Sequence, residues 1–465
     1  MTKTKMPSAY TILFSIIIIM AILTWIIPAG QYEYMTDGEP IAGTYHQVES
    51  NGQTVADVFL SSFHGFYEAI DVAAFILMVG GFLGVMVKTG AISAAITGIT
   101  RSLQGREKLM IPILMCVFAL GGTTFGMAEE TIAFYPLILP IVIAAGYDAI
   151  TAVSVIMLGA GIGVIGSTVN PFATGIAAGF AGISLGEGIL LRIGILAVSL
   201  IVTIIYVMRY AEKTKHHPET SLVANLADKH REHFLSLQGE NVELTKKRKI
   251  SLIIFGLTFA IMIYSVIPFE DMGITFLPTV GWWFPELSAL FFVAAVAAGL
   301  AYRLNQYEII DGFLEGAKDL LGVAFIIGIS RGITVIMNSG HITDTILSWG
   351  ETLLSGTGSV LFTILSYVVF LPLSFLIPST SGLATLSMPI MAPLADFSGL
   401  GRDIVITAFQ SACGLINLIT PTSAVVMGGL AIGRVPYDKW LRFTWKLLLI
   451  LLVISLGFLL LGAVI

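Results

Sequence analysis

Residues 148–183 read DAITAVSVIMLGAGIGVIGSTVNPFATGIAAGFAGI. The stretch is apolar and long enough to cross a bilayer, which takes about 20 such residues. Its centre, Gly166-Ser167-Thr168-Val169-Asn170-Pro171, is polar and breaks helices. Proline lacks an N–H and clashes with the preceding turn, so a helix reaching Pro171 must stop and restart. Irregular backbone at bilayer depth is tolerated only where it is buried in protein or lines a cavity. Residues 404–433 repeat the pattern around Asn417-Leu418-Ile419-Thr420-Pro421-Thr422-Ser423. Two interrupted spans predict an all-α polytopic membrane protein with a cavity at their breaks.

Composition agrees. Of 465 residues, 56% are apolar and only 12% charged, against about 25% charged in soluble domains. A soluble enzyme or a nucleic-acid-binding protein is thereby excluded, and the lipid bilayer is the expected partner. The 48 glycines suit close helix packing in a membrane. Cys116 and Cys413 lie in apolar segments and read as small core residues. With no P-loop, hydrolase triad, cofactor fingerprint or metal spacing among the histidines, neither an enzyme nor a bound cofactor is expected. A coupling Na+ or H+ stays open.

Further spans are expected at 10–28, 68–88, 189–209, 250–268, 285–302, 319–338 and 443–464. The first is too long for a signal peptide and lacks a cleavage context. Segments 109–145 and 359–397 read as helix pairs around polar tips. Basic residues mark the cytoplasmic side. Lys3 and Lys5 place the N-terminus there, as do Lys88, Arg101, Arg106 and Lys108 for the first connector, and Lys246-Lys247-Arg248-Lys249 for the linker. Segment 30–65, with Glu33, Asp37, Glu39, Glu49 and Asp57 and no base, belongs outside. So does the loop carrying Glu270 and Asp271, while Arg402 is an exception on that side. The path closes only if both helix pairs are re-entrant, with the C-terminus outside. His64, His216, His217, His230, His233 and His341 fall in expected loops.

A shift of 250 aligns Ala74-Phe75-Ile76 with Ala324-Phe325-Ile326 and Asn170-Pro171 with Thr420-Pro421; a shift of 253 aligns the Pro-x-x-x-Pro of the two helix pairs. The expected organisation is a first helix and outer loop (1–65), a first repeat (66–209), a basic connector (210–249), two scaffold helices (250–318) and a second repeat of inverted orientation (319–465). The connector has too few apolar residues for a core of its own.

In inverted-repeat transporters the substrate sits near the midplane, where broken helices expose dipole ends and backbone groups. The expected small-molecule site therefore combines Thr123, Thr124, Glu129 and Glu130 at the first tip with Ser167, Thr168 and Asn170 at the first break. Ser379, Thr380 and Ser381 at the second tip, with Asn417, Thr420 and Thr422 at the second break, complete it. Gly and Pro would leave carbonyls free for a cation, and helix N-termini favour a carboxylate. Intramembrane carboxylates are costly and usually face a cavity, so Glu129 and Glu130 favour a cationic substrate or a coupled proton. Arg331 could hold a substrate carboxylate, pair with a Glu or brace a helix end. Asp71 reads as interfacial.

The segment from Gly122-Thr123-Thr124-Phe125-Gly126-Met127-Ala128-Glu129-Glu130 through Tyr135, the Ser167–Phe172 motif and the N-terminal Met6-Pro7-Ser8-Ala9-Tyr10 resemble the YfcC family. This family belongs to the anaerobic C4-dicarboxylate carrier-like group of the ion transporter superfamily and includes arginine/ornithine antiporters. The resemblance spans nearly the whole chain. It implies two hairpins, a scaffold with a mobile transport domain, and a homodimer. The combined expectation is a cytoplasmic-membrane antiporter of basic amino acids working by alternating access. A sodium- or proton-coupled carboxylate transporter on the same fold is one rival reading; a channel or non-transporting membrane scaffold is another.

Overall fold

A computed structural model describes residues 9–35, 40–92, 94, 106–124, 126–184, 186–235, 244–266, 269–270 and 276–464. Lys3, Lys5, Asp37, Glu39, Arg101, Phe125, Asp271 and most of the connector after Lys88 lie outside the described residues. The described chain is mostly helical, as a membrane-spanning backbone must be when lipid offers it no hydrogen bonds.

Helix α1 (Ala9–Leu23) leads to a two-stranded antiparallel piece, Gly30–Gln31 with His46–Gln47, and then to α2 (Val55–Glu68) and α3 (Ile70–Lys88). Next come α4 (Glu107–Thr124), a 3-10 turn over Glu129–Phe134, and α5 (Tyr135–Ala144). The first interrupted span is α6 (Ala149–Ile165) followed by a π-turn (Pro171–Gly175) and α7 (Ile176–Ala181). Then follow α8 (Ile189–His216), α9 (Ala227–Leu235), α10 (Lys246–Val266) and α11 (Phe284–Tyr302). The second half runs α12 (Gln306–Ser339), α13 (Thr343–Leu354), α14 (Ser359–Leu376), α15 (Thr380–Phe397), α16 (Arg402–Ile416), α17 (Ala424–Ile432) and α18 (Tyr437–Val464). Among the described residues, eight helices (α3, α4, α8, α10, α11, α12, α14 and α18) are long and apolar enough to cross a membrane. The described part of α1 is 15 residues and falls short of that length. The same order of long helix, helix pair, interrupted span and long helix occurs in both halves.

Glycine sets how the central helices meet. Gly80 and Gly84 of α3 face Gly312 and Gly316 of α12; a side chain at Gly84 would run into the Gly312 carbonyl, and one at Gly316 into that of Gly80. Further along α12, Gly328 and Gly332 receive α2 at Phe66, Gly65 and Ser61. Small residues four apart allow backbones to approach this closely, and packing of this kind replaces the hydrophobic drive that lipid removes. Gly122 of α4 and Gly163 of α6 make a third such crossing, which holds the first tip against the first break.

Three expectations need correction. The long helix expected from 319 starts at Gln306, because Asn305 caps it: its side chain accepts from Glu308 N, and Glu308 returns the bond. Segment 210–249 is more than a bare connector. Helix α8 continues to His216, and Val223, His230 and Phe234 are buried. Asp148 gathers the hydroxyls of Tyr210 (2.7 Å) and Ser221 (2.6 Å), and His230 Nε2 bonds the Arg434 carbonyl at 3.1 Å. Of the histidines expected in loops, His230 and His233 sit on α9, His64 on α2 and His216 at the end of α8. In the outer segment, Tyr34 bonds Asp344 (2.7 Å) and Tyr32 bonds Glu351 (2.7 Å).

Gly316→Leu should cost at least about 1–3 kcal/mol through forced separation of α3 and α12. It should lower the melting temperature in detergent, whereas Gly256→Leu, where nothing lies within 4 Å, should not. Burial holds the His230 imidazole below its usual 6.5. Its neutral contact is therefore fully stabilising above pH 6.5 and weakens as pH falls through that value. Amide protection factors across 218–235, corrected for the pH dependence of intrinsic exchange, should fall on acidification in the wild type and stay flat in His230→Gln.

Candidate functional site

The local chemistry of the breaks explains their shape. After Ile165 the chain leaves the helix, and Asn170 Oδ1 accepts from Phe172 N (2.9 Å) and Ala173 N (3.1 Å). An Asn cap followed by proline, whose missing N–H is unneeded at a helix start, begins the next segment. Gly126 at the first tip has φ +74°, and any side chain there would strike the Asn170 amide. Only glycine fits at that contact. At the second tip Ser379 caps α15 by accepting from Gly382 N at 3.2 Å.

These elements enclose a cavity of about 350 Å³, at the small end of the roughly 300–1,000 Å³ range for small-molecule sites. Of the expected residues, Glu129, Glu130 and Asn170 line it from the first half, and Ser379, Thr380, Ser381, Asn417 and Thr422 from the second. Arg331 lines it from α12. Both breaks and both tips thus converge on one space.

Thr123, Thr124, Ser167, Thr168 and Thr420 do not line this cavity. Thr123 and Thr168 bond each other (3.1 Å), and Thr123 Oγ1 donates to the Gly166 carbonyl (2.9 Å). Thr124 turns back on its own helix to Leu120 O (2.6 Å). Ser167 bonds Thr174 (2.6 Å), which bonds Gln410 (2.6 Å), and Gln410 Nε2 donates to the Ser167 carbonyl (3.0 Å). Thr420 bonds Thr422 at 2.7 Å. These hydroxyls shape the walls and lie behind the lining.

Glu68, Asp71, Phe172 and Trp283 line the cavity as well, although sequence reasoning did not place them there. Helices α2 and α3 meet at Ala69 (φ −114°, ψ 17°), and this joint carries Glu68 and Asp71 into the cavity wall. No Gly or Pro marks the joint; the one legible signal was an acid at the edge of an apolar span. Phe172 and Trp283 pack at 4.9 Å.

Electrostatically the lining is lopsided. Four carboxylates (Glu68, Asp71, Glu129 and Glu130) face one guanidinium, Arg331. Arg331 Nε lies 3.4 Å from Glu68 Oε2, and Glu129 feels both Arg331 and Asp71. Glu130 is buried, and its Oε2 accepts from Ala128 N at 3.0 Å. Asn417 Oδ1 is buried with no donor among the described residues. The cavity therefore offers acceptors and negative charge to a solute that brings donors and positive charge.

The sequence matches the family described as C4-dicarboxylate anaerobic carrier over residues 6–464. An uncharacterized protein of Haemophilus influenzae is 34% identical over 496 residues, covering 97% of this chain and 95% of its own. An Escherichia coli K12 protein provisionally named basic amino acid antiporter YfcC is 30% identical over 498 residues, with the same coverage. Among solved structures, Neisseria gonorrhoeae MtrF, described within a class of antimetabolite efflux pumps, superposes with TM-score 0.42 at 15% identity, covering 98% of this chain and 95% of that one. The Alcanivorax borkumensis YdaH transporter gives 0.40 at 14%, covering 98% of each. Likeness of that size carries no weight for the site.

With Cys116 and Cys413 replaced by Ala, Ser381→Cys should react readily with a cationic thiol reagent. Thr123→Cys should react at least about tenfold more slowly, because reagent access limits a packed thiol. Equal rates would mean that the two positions share the cavity.

Proposed function

This chain belongs to the C4-dicarboxylate anaerobic carrier family and is a membrane transporter, and on that premise we propose that it exchanges basic amino acids of the arginine/ornithine kind across the cytoplasmic membrane. The observation that carries the reading is the surplus of carboxylates around the cavity. A dicarboxylate entering beside four acids would meet repulsion in a poorly screened space; a guanidinium or ammonium would be attracted. Glu129 and Asp71 take the distal cationic group, over which Phe172 and Trp283 add cation–π attraction. The first amides of α15, with Ser379, Thr380 and Ser381, take the substrate carboxylate, and Asn417 Oδ1 accepts from the α-ammonium. Glu68 holds Arg331 away from the bound cation.

The accompanying organisation is part of the proposal. Two halves of opposite orientation carry re-entrant pairs 109–145 and 359–397, the N-terminus is cytoplasmic and the C-terminus outside. The chain works as a homodimer, with the hairpins and broken spans moving as a body to alternate access. The rival reading, a sodium- or proton-coupled C4-dicarboxylate carrier, draws on the family's description and on Arg331 as the anion's partner.

Counterflow in proteoliposomes separates the two. Arginine-loaded vesicles should take up labelled ornithine, and succinate should not compete. Glu129→Gln should raise the KM for arginine about tenfold, equivalent to about 1.4 kcal/mol of lost attraction. Succinate counterflow without arginine counterflow would overturn the proposal, as would unchanged kinetics in both Glu129→Gln and Glu130→Gln.

A further inference from the structure

Helix α8 carries Arg192, which is 1% exposed. A charge so deep in an apolar protein is costly unless it is paired and serves the site. Its position follows from the first break: a side chain at Gly166 would meet the Leu196 Cα at 2.5 Å, so α8 lies directly against the broken segment. Arg192 is one turn from Leu196 and on the same face. Its Nη2 donates to the Thr168 carbonyl at 3.4 Å, and it is electrostatically coupled to Asp403 in the first turn of α16.

The surrounding carbonyls each accept a hydrogen bond from the protein. Gly122 O accepts from Asn170 Nδ2 (3.3 Å), Thr123 O from Thr168 N (3.1 Å) and Val169 N (3.2 Å), and Gly166 O from Thr123 Oγ1. Ser167 O accepts from Gln410, and Asn170 O from Gly175 N (2.9 Å). The sequence suggested that such a break leaves carbonyls free for a cation; here each of these carbonyls has a donor, and one donor is itself a cation. A bound sodium ion would have to share these oxygens with their present donors and sit beside a fixed guanidinium that repels it.

We propose that Arg192 is the resident cation of the first break, doing permanently what a coupling sodium ion would do transiently, so that the transporter turns over without sodium. Its guanidinium cannot leave with the substrate. A half-site locked in its charged, ordered form suits obligatory exchange, and to that extent the inference rests on the exchange reading above. Arg192 is a positioning residue: it touches the break and not the cavity.

Two measurements decide. The first needs no substrate: the melting temperature of the purified protein in NaCl should equal that in choline chloride at matched ionic strength. Sodium-specific stabilisation of the wild type would overturn the proposal. The second is arginine/ornithine counterflow with sodium replaced by choline on both sides, which should change the wild-type rate by less than about twofold, while Arg192→Ala should fall at least about tenfold and recover in part with millimolar guanidinium chloride. Rescue by the missing cation is a response that a purely structural defect would not give. Should the alanine variant fail to fold, Arg192→Lys, which keeps the charge but loses the fork, should exchange slowly and still ignore sodium; sodium stimulation of that variant counts against the proposal, as does wild-type exchange by Arg192→Ala. Absence of wild-type counterflow would sink the exchange reading alone, leaving the thermal comparison to judge Arg192.

Discussion

A backbone amide or carbonyl with no partner in hydrocarbon costs several kcal/mol. Each departure from helix in this chain is consequently a place where neighbouring residues supply the missing bonds. At the first break the suppliers are Thr123, Asn170, Gln410 and Arg192, drawn from three other segments as well as the break itself. At the second, Trp440 Nε1 bonds Leu418 O (2.9 Å), Tyr437 bonds Ile419 O (2.7 Å) and Thr422 Oγ1 bonds Phe375 O (2.7 Å). The breaks are scaffolds held under constraint, and the cavity is the space that their shape leaves over.

This constraint divides the polar residues into two kinds. One kind is consumed in holding the irregular backbone: Thr123 and Thr168 bond each other and nearby carbonyls, Ser167 bonds Thr174, and Thr420 bonds Thr422. The other is left facing the cavity, as Ser381, Asn417 and the acids are. The halves differ in this respect. The first break has the buried Arg192 beside it, while the second keeps Asn417 Oδ1 without a donor among the described residues. Two interrupted spans of similar pattern thus have surroundings of unlike chemistry. Glu129 and Glu130 on one side and the capped α15 on the other give the cavity its polarity.

The close crossings make the arrangement possible. Gly122 and Gly163 bring α4 against α6, so that Thr123 can reach Gly166 and Thr168. Gly80, Gly84, Gly312 and Gly316 press α3 onto α12, and Asp71 and Arg331 of these two helices both line the cavity. Helix positions set by backbone contact leave little slack, as a site that must orient a small solute requires.

What the sequence determined by itself was the solvent, the helices and the places where they fail. Apolar length, Asn170-Pro171, Thr420-Pro421 and the Gly-rich tip are local properties, and the physics of lipid leaves few alternatives for them. Glu129, Glu130 and the Ser379–Ser381 tip were legible for the same reason. Tertiary structure alone decided which hydroxyl turns inward. Thr123 and Ser381 look alike in sequence, yet one is spent on a carbonyl 43 residues away and the other lines the cavity. It also decided that Glu68 and Asp71 line the cavity, because the joint at Ala69 follows from how α2 and α3 pack on α12. Arg192 was invisible for that reason too: its partners come from elements that only the folded chain brings within reach.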